Sequence, residues 1–178
     1  MGQPSPHSPV LFVMAAFSRY PQALDWARRR AEEHHGPVGL TSEAFAFDET
    51  DYYEPTMGAA LRKQFFAFER LIDPAELVAI KRQTNTWETD YKAESDHAEP
   101  RPLNLDPGYV SLGKLVLAST KDHAHRLYLA DGIYAEITLH YQNKAWRHHN
   151  KTFKDYRRAD YQAFFTKCRD YLKSQRET

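Results

Sequence analysis

The residues best equipped for chemistry fall in four blocks: Asp48 with Asp51, Asp106, the run from Ser111 to Arg126, and Glu136. Asp48, Asp51, Asp106 and Glu136 supply hard carboxylate oxygens of the kind that hold Mg²⁺ or Mn²⁺. Lys114, Lys121 and Arg126 would contact a phosphate and balance its charge. His125, beside Arg126, suits a general acid or a phosphate contact, and with Asp106 it makes the candidate catalytic pair. For an enzyme, this set points to metal-assisted phosphoryl or nucleotidyl chemistry. The plainer reading is that the acids cap helices and turns, since "DP" and "DG" steps need no ligand to explain them.

The densest block reads "LDPGYVSLGKLVLASTKDHAHR", Leu105 to Arg126. Leu112, Leu115, Val116 and Ser119 follow helical spacing, and Ser111 stands where an N-cap belongs, so a short helix from Leu112 is favoured over a strand. "DPG" then makes a bend before that helix, and the free amides of Ser111 and Gly113, with Lys114, Lys121 and Arg126 nearby, form a candidate anion cradle. "GYVSLGK" also fits the first seven positions of a P-loop. The eighth is Leu115, where a magnesium-binding hydroxyl is required, and "RPLNLDP" ahead of it is a poor buried strand.

Other chemistries fit less well. His123 and His125, His34 with His35, and His148 with His149 could ligate zinc, but Cys168 is the only cysteine and no His-x₃-His spacing occurs. No G-x-S-x-G elbow supports a serine hydrolase. The tail "NKAWRHHNKTFKDYRR" mixes aromatic and basic residues, as nucleic-acid surfaces do, although such runs are commonly solvated connections.

The elements that must position these residues follow from period and punctuation. Val10 to Phe17 is an unbroken apolar run, hence a buried central strand covered on both faces. Pro21 opens a helix that places Leu24, Ala27 and Ala31 on one side and stops at Gly36. "TSEAFAFDET", with Phe45 and Phe47 inward, and "LRKQFFAFERLI" read as paired strands. Asp73, Pro74 and Glu76 make a capping box for a helix running through "ELVAIKRQTNTWETDY". Asp131-Gly132 marks a hairpin, and a last helix carries Phe164, Phe165, Cys168 and Leu172 on one face. The order β-α-β-β-α-β, then hairpin and helix, suggests one α+β domain over residues 10–178 after a loose arm at 1–9. Its sheet would be mostly antiparallel, with a ferredoxin-like core and helices on one face.

Composition narrows the class. Lysine plus arginine and aspartate plus glutamate number 24 each, so no overall field favours nucleic acid or membrane. The run from Glu43 to Glu54 nevertheless holds five acids and no base, and the tail after Tyr141 is basic. A single cysteine suits a reducing cytoplasm. "VLFVMAAFS" is too short to span a bilayer and lacks a basic lead, so it reads as a strand and not a signal peptide.

Several blocks, "FDETDYYEPTMG", "LIDPAEL", "IKRQTN", "NLDPGY", "KLVLASTKD", "HRLYL" and "GIYAEITL", resemble the bacterial domain-of-unknown-function 4416 family. The resemblance runs from Val10 to the last helix. It implies one compact domain and supplies no mechanism. Its polar motifs match Asp48, Asp51, Tyr52, Tyr53, Asn85, Asp106, Lys114, Lys121, His125, Arg126 and Glu136. The expectation is a cytoplasmic protein that binds a phosphorylated small molecule or nucleotide, with or without a divalent metal. The alternative is a non-catalytic module for protein or RNA contact.

Overall fold

Val10 to Ser18 forms β1, and every residue of it is buried. Its side chains divide by parity, as a pleated strand requires. Leu11, Val13 and Ala15 join one core, while Val10, Phe12, Met14 and Ala16 join the other. At about 1.5–3 kcal/mol per large apolar side chain buried, this strand alone anchors both layers.

The computed structural model describes residues 2–176. After β1 come α1 (Pro21–His35), β2 (Val38–Thr41), β3 (Phe45–Ala46), a single turn α2 (Glu54–Met57) and β4 (Arg62–Ile72). Then follow α3 (Leu77–Glu94), β5 (Asn104–Val110), β6 (Lys114–Ser119), β7 (Leu127–Ala130), β8 (Ile133–Gln142), β9 (Ala145–Arg147) and α4 (Ala159–Arg176). The strands form one antiparallel sheet in the order β2-β4-β1-β5-β6-β8-β7, with β3 on β4 and β9 on β8. The described residues thus make a single compact α+β domain. Residues 2–9 carry no regular structure; Met1 of the expected arm lies outside the described residues.

Helices cover both faces, not one as the element order suggested. α1 and α3 pack on the face carrying Phe12, Phe66 and Phe68. α4 lays Tyr161, Phe164, Phe165, Cys168 and Leu172 against Leu11, Val13, Phe65 and Ala67 on the other. The two-faced apolar character of β1 demanded such cover. The capping box is present, with the Asp73 carboxylate accepting from the Ala75 amide at 2.8 Å and Glu76 accepting from the Asp73 amide at 2.9 Å. At the β7–β8 hairpin, Asp131 and Gly132 both take left-handed φ, 52° and 77°. The β8–β9 hairpin turns the same way at Asn143 and Lys144, a pair without the glycine that would have announced it.

The run from Leu105 to Arg126 departs furthest from expectation. "LDPG" is not a bend but the middle of β5, between β1 and β6. No helix starts at Leu112; Ser111 to Gly113 turn, and Lys114 to Ser119 are strand β6. Leu115 and Leu117 face one core, and Val116 and Ala118 face another, so the apparent helical spacing came from a strand buried on both sides. Gly108 is required here. A Cβ at that position would stand 2.2 Å from the Val116 carbonyl oxygen.

Candidate functional site

β5 pairs with β1 along its whole length, but with β6 only from Gly108 to Val110. Pro107 has no N–H to offer, and its neighbours from Asn104 onward are unpaired on the β6 side. The sheet therefore parts there. The backbone of Leu105, left without a strand partner on the β6 side, is satisfied from α3: its amide donates to Glu88 Oε1 at 2.7 Å, and its carbonyl accepts from Lys81 Nζ at 2.8 Å. Lys81 and Glu88 lie two helical turns apart on one face of α3, which lets both reach the same strand.

The gap opens into a cleft of about 680 Å³ at the end of the sheet where β1 and β6 leave and β4 and β5 enter. Its floor holds Asn104, Asp106 and the tip of β6. Its walls come from residues 47–53, from α3 at Lys81 and Asn85, from Arg101, and from the 151–156 connection. The cations lining it are Lys63, Lys81, Arg101, Lys121, Arg126, Lys151 and Lys154, against the carboxylates Glu49, Asp106, Glu136 and Asp155. Positive charge is in excess.

Several of these cations are already committed. Lys63 meets Asp155 at 2.6 Å, both about 5% exposed, and its ammonium sits within 5.0 Å of the Phe17, Phe47 and Tyr156 ring centres. Arg126 donates to Glu136 Oε2 at 2.7 Å and to Ser119 Oγ at 2.7 Å. Arg101 bonds Glu88 at 3.0 Å and Asn104 Oδ1. Lys121, Lys151 and Lys154 are different. Among the described residues they have no carboxylate partner, and all three are exposed at the cleft. Lys121 instead donates to Tyr52 Oη at 3.0 Å, which holds that phenol below its ordinary pKa.

Asp106 is the most open of the four cleft carboxylates. Burial pushes its pKa up, but Lys81, 3.6 Å away, and then Lys63 outweigh that and hold it below the usual aspartate value. Its side chain keeps 29% exposure, toward the cleft. Burial raises Glu88 above its ordinary value, even though Lys81 and Arg101 pull it the other way. Tyr53 and Tyr156 are raised mainly by burial and next by the charges of Asp106 and Asp155, which places both phenols near those carboxylates.

Of the residues singled out from the sequence, Asp106, Glu136, Lys121 and Arg126 line this cleft. Asp48 and Asp51 lie exposed between β3 and α2 and do not line it. The four carboxylates thus do not meet. Among the described residues, no three Asp, Glu, His or Cys side chains form a group able to hold a metal ion. His125 turns to Glu136, with Nε2 3.4 Å from Oε2, and is not part of the lining; His123 is the cleft histidine. The catalytic pairing of His125 with Asp106 is therefore not assembled.

Ser111, Gly113 and Lys114 sit at the opposite end of β5 and β6. Lys114 is about 17 Å from Ser119 along the strand, at roughly 3.3 Å per residue. The amides expected to cradle an anion there are taken: Gly113 and Lys114 donate to Ser111 Oγ at 3.3 and 3.2 Å, and Ser111 donates to the Lys114 carbonyl at 2.8 Å. The supposed helix start was the missing condition.

Sequence reasoning passed over Lys63, Lys81, Lys151, Lys154, Asp155 and Tyr156. Lys63 and Lys81 had a readable signal, because each interrupts an apolar stripe. Lys63 alternates with Phe65 and Ala67, and Lys81 stands among Leu77, Ile80, Thr84 and Trp87. A buried lysine at such a position needs a partner. The 151–156 residues lie in the tail whose mixture of basic and aromatic residues was noted, but only tertiary folding brings that tail to the cleft.

The molecule is thus an α+β protein with a cationic cleft where its antiparallel sheet parts. A family model described as a domain of unknown function, DUF4416, matches residues 8–171, and the chain belongs to that family. No curated protein matches the sequence, and no solved structure matches the fold. Of the eleven polar residues singled out by the resemblance, Tyr52, Tyr53, Asn85, Asp106, Lys121, Arg126 and Glu136 line the cleft, while Asp48, Asp51, Lys114 and His125 do not.

Proposed function

We propose that the protein binds a phosphorylated small molecule, nucleotides included, in the cleft at the open end of the sheet. The observation that carries this reading is the trio Lys121, Lys151 and Lys154, which stand at one cleft with no carboxylate partner among the described residues. Unpaired ammonium groups in a concavity favour an anion, and the surrounding walls reduce solvent screening. Two exposed aromatic rings, Tyr52 and Phe153, line the same cleft and offer a flat surface to a planar portion of the ligand. A reducing cytoplasm fits the single thiol, Cys168, which is buried among apolar side chains. Among the described residues, no helix is long and apolar enough to cross a membrane.

The test is a thermal-shift series with inorganic phosphate, pyrophosphate, AMP and ATP. A ligand at a hundred times its Kd should raise stability by about 2.7 kcal/mol. The variant K121A/K151A/K154A, altered only at exposed side chains, should melt like the parent but lose the ligand shift. No shift with any probe, or an intact shift in the variant, contradicts the proposal.

A further inference from the structure

Asp106 is an anion inside a cleft read as anion-binding, and that juxtaposition limits what the ligand can be. A phosphate would be repelled by the ionised Asp106 carboxylate, whereas hydroxyl groups would donate to it. Lys81 does not use up its acceptor capacity: the ammonium donates to the Leu105 carbonyl at 2.8 Å and stays 3.6 Å from Asp106 Oδ1.

The groups around Asp106 also have hydrogen-bonding capacity to spare. Asn104 lies close enough to help keep Asp106 ionised, and among the described residues its buried Nδ2 meets no acceptor in good hydrogen-bonding geometry. Tyr156 lines the cleft, and its buried hydroxyl has no partner among the described residues. Among the described residues, the Asn85 side chain has none either, one turn beyond Lys81 on α3. Buried polar groups cost about 1–3 kcal/mol each when unpaired, so Asn104 and Tyr156, two such residues on the lining of one cleft, mark the place of a hydrogen-bonding ligand.

The two halves share one cleft at the same end of the sheet. Extending the β5–β6 register from Gly108 opposite Leu117 sets Asp106 across the gap from Ser119. Lys121 follows two residues later, past the end of β6 at Ser119, where the chain bends and the Lys121 amide donates to Ser119 Oγ at 3.1 Å. We infer that the ligand is a sugar phosphate, free or as part of a nucleotide. Asp106, with Asn85, Asn104 and Tyr156, takes a vicinal hydroxyl pair, while Lys121, Lys151 and Lys154 take the phosphate. This rests on the phosphate reading above and adds the chemistry of the other end.

Calorimetric titration with inorganic phosphate, ribose 5-phosphate and 2-deoxyribose 5-phosphate separates the two claims. Ribose 5-phosphate should bind about tenfold or more tightly than its deoxy analogue, the discrimination expected when removing one hydroxyl strands buried polar groups. D106N should bring that ratio close to one without weakening inorganic phosphate binding, since it removes a nearby negative charge. Y156F removes only an unpartnered hydroxyl, so it should fold like the parent and weaken ribose 5-phosphate severalfold; it decides the matter if D106N does not fold. Equal affinity of the parent for both sugar phosphates overturns this inference and leaves the phosphate reading standing. So does an unchanged ribose 5-phosphate affinity in the folded variants. Failure of all three probes to bind overturns both.

Discussion

A single carboxylate, Asp106, stands against the positive excess of the cleft, and its environment makes a testable statement about pH. Lys81 and Lys63 hold its folded-state pKa below the ordinary 3.8. A depressed acid contributes stability that is present above its unfolded pKa and lost as pH falls through the folded value. Glu88 works in the opposite sense. Burial raises it above its ordinary 4.5, so its charged form costs stability at neutral pH and protonation relieves that cost. Acidification should therefore first relieve the Glu88 cost, and then below about pH 4 take away the Asp106 contribution. Melting temperatures of D106N against the parent from pH 7 to pH 3 check this: the variant should lose part of the decline at the acid end. An identical decline in both would mean that Asp106 is not ionised against Lys81. At this scale, Asp106, Lys121 and Arg126 were legible as polar, chemistry-capable residues. Lys63 and Lys81 were overlooked because each hides in an apolar stripe that was counted only for its apolar members.

Among the elements, β5 matters most and was the hardest to read. β1, α1, the capping box before α3 and the Asp131-Gly132 hairpin were legible because each rests on local chemistry: an apolar run, a proline and glycine bracket, a reciprocal cap, a left-handed turn. β5 contains the triplet Asp106, Pro107, Gly108, whose local preference is a turn. Tertiary pairing with β1 overrides it, and the same residues then serve to part the sheet. Pro107 removes a donor on the β6 side, and Gly108 lets the Val116 carbonyl approach. Gly108→Ala should consequently destabilise the protein by about 1–3 kcal/mol or more, the cost of forcing atoms into a packed site. Gly113→Ala, where a new Cβ meets nothing within 4 Å, should be nearly neutral. Denaturant melts of both variants check the contrast. A neutral Gly108→Ala would show that β5 and β6 do not approach as closely as described.

For the whole molecule, the site exists because a nine-stranded sheet opens at one end and four separate parts of the chain close around the opening: residues 47–53, α3, the end of β6 and the 151–156 connection. The α+β class followed from the order of elements. The location of the site did not, since sequence spacing favoured the Ser111–Lys114 turn, which the fold puts at the far end of the same strands. The balance of 24 basic and 24 acidic residues likewise conceals the local excess of lysine at the cleft. An amide-resolved NMR titration with inorganic pyrophosphate tests this account most directly. The central claim is that the anion site lies at the open end of the sheet. Chemical shifts should then move at Ser119 to Lys121 and at Lys151 to Tyr156, saturate with one Kd, and vanish in K121A/K151A/K154A, while Ser111 to Lys114 stay still. Shifts centred on Ser111 to Lys114, or shifts that persist in the triple variant, would contradict it.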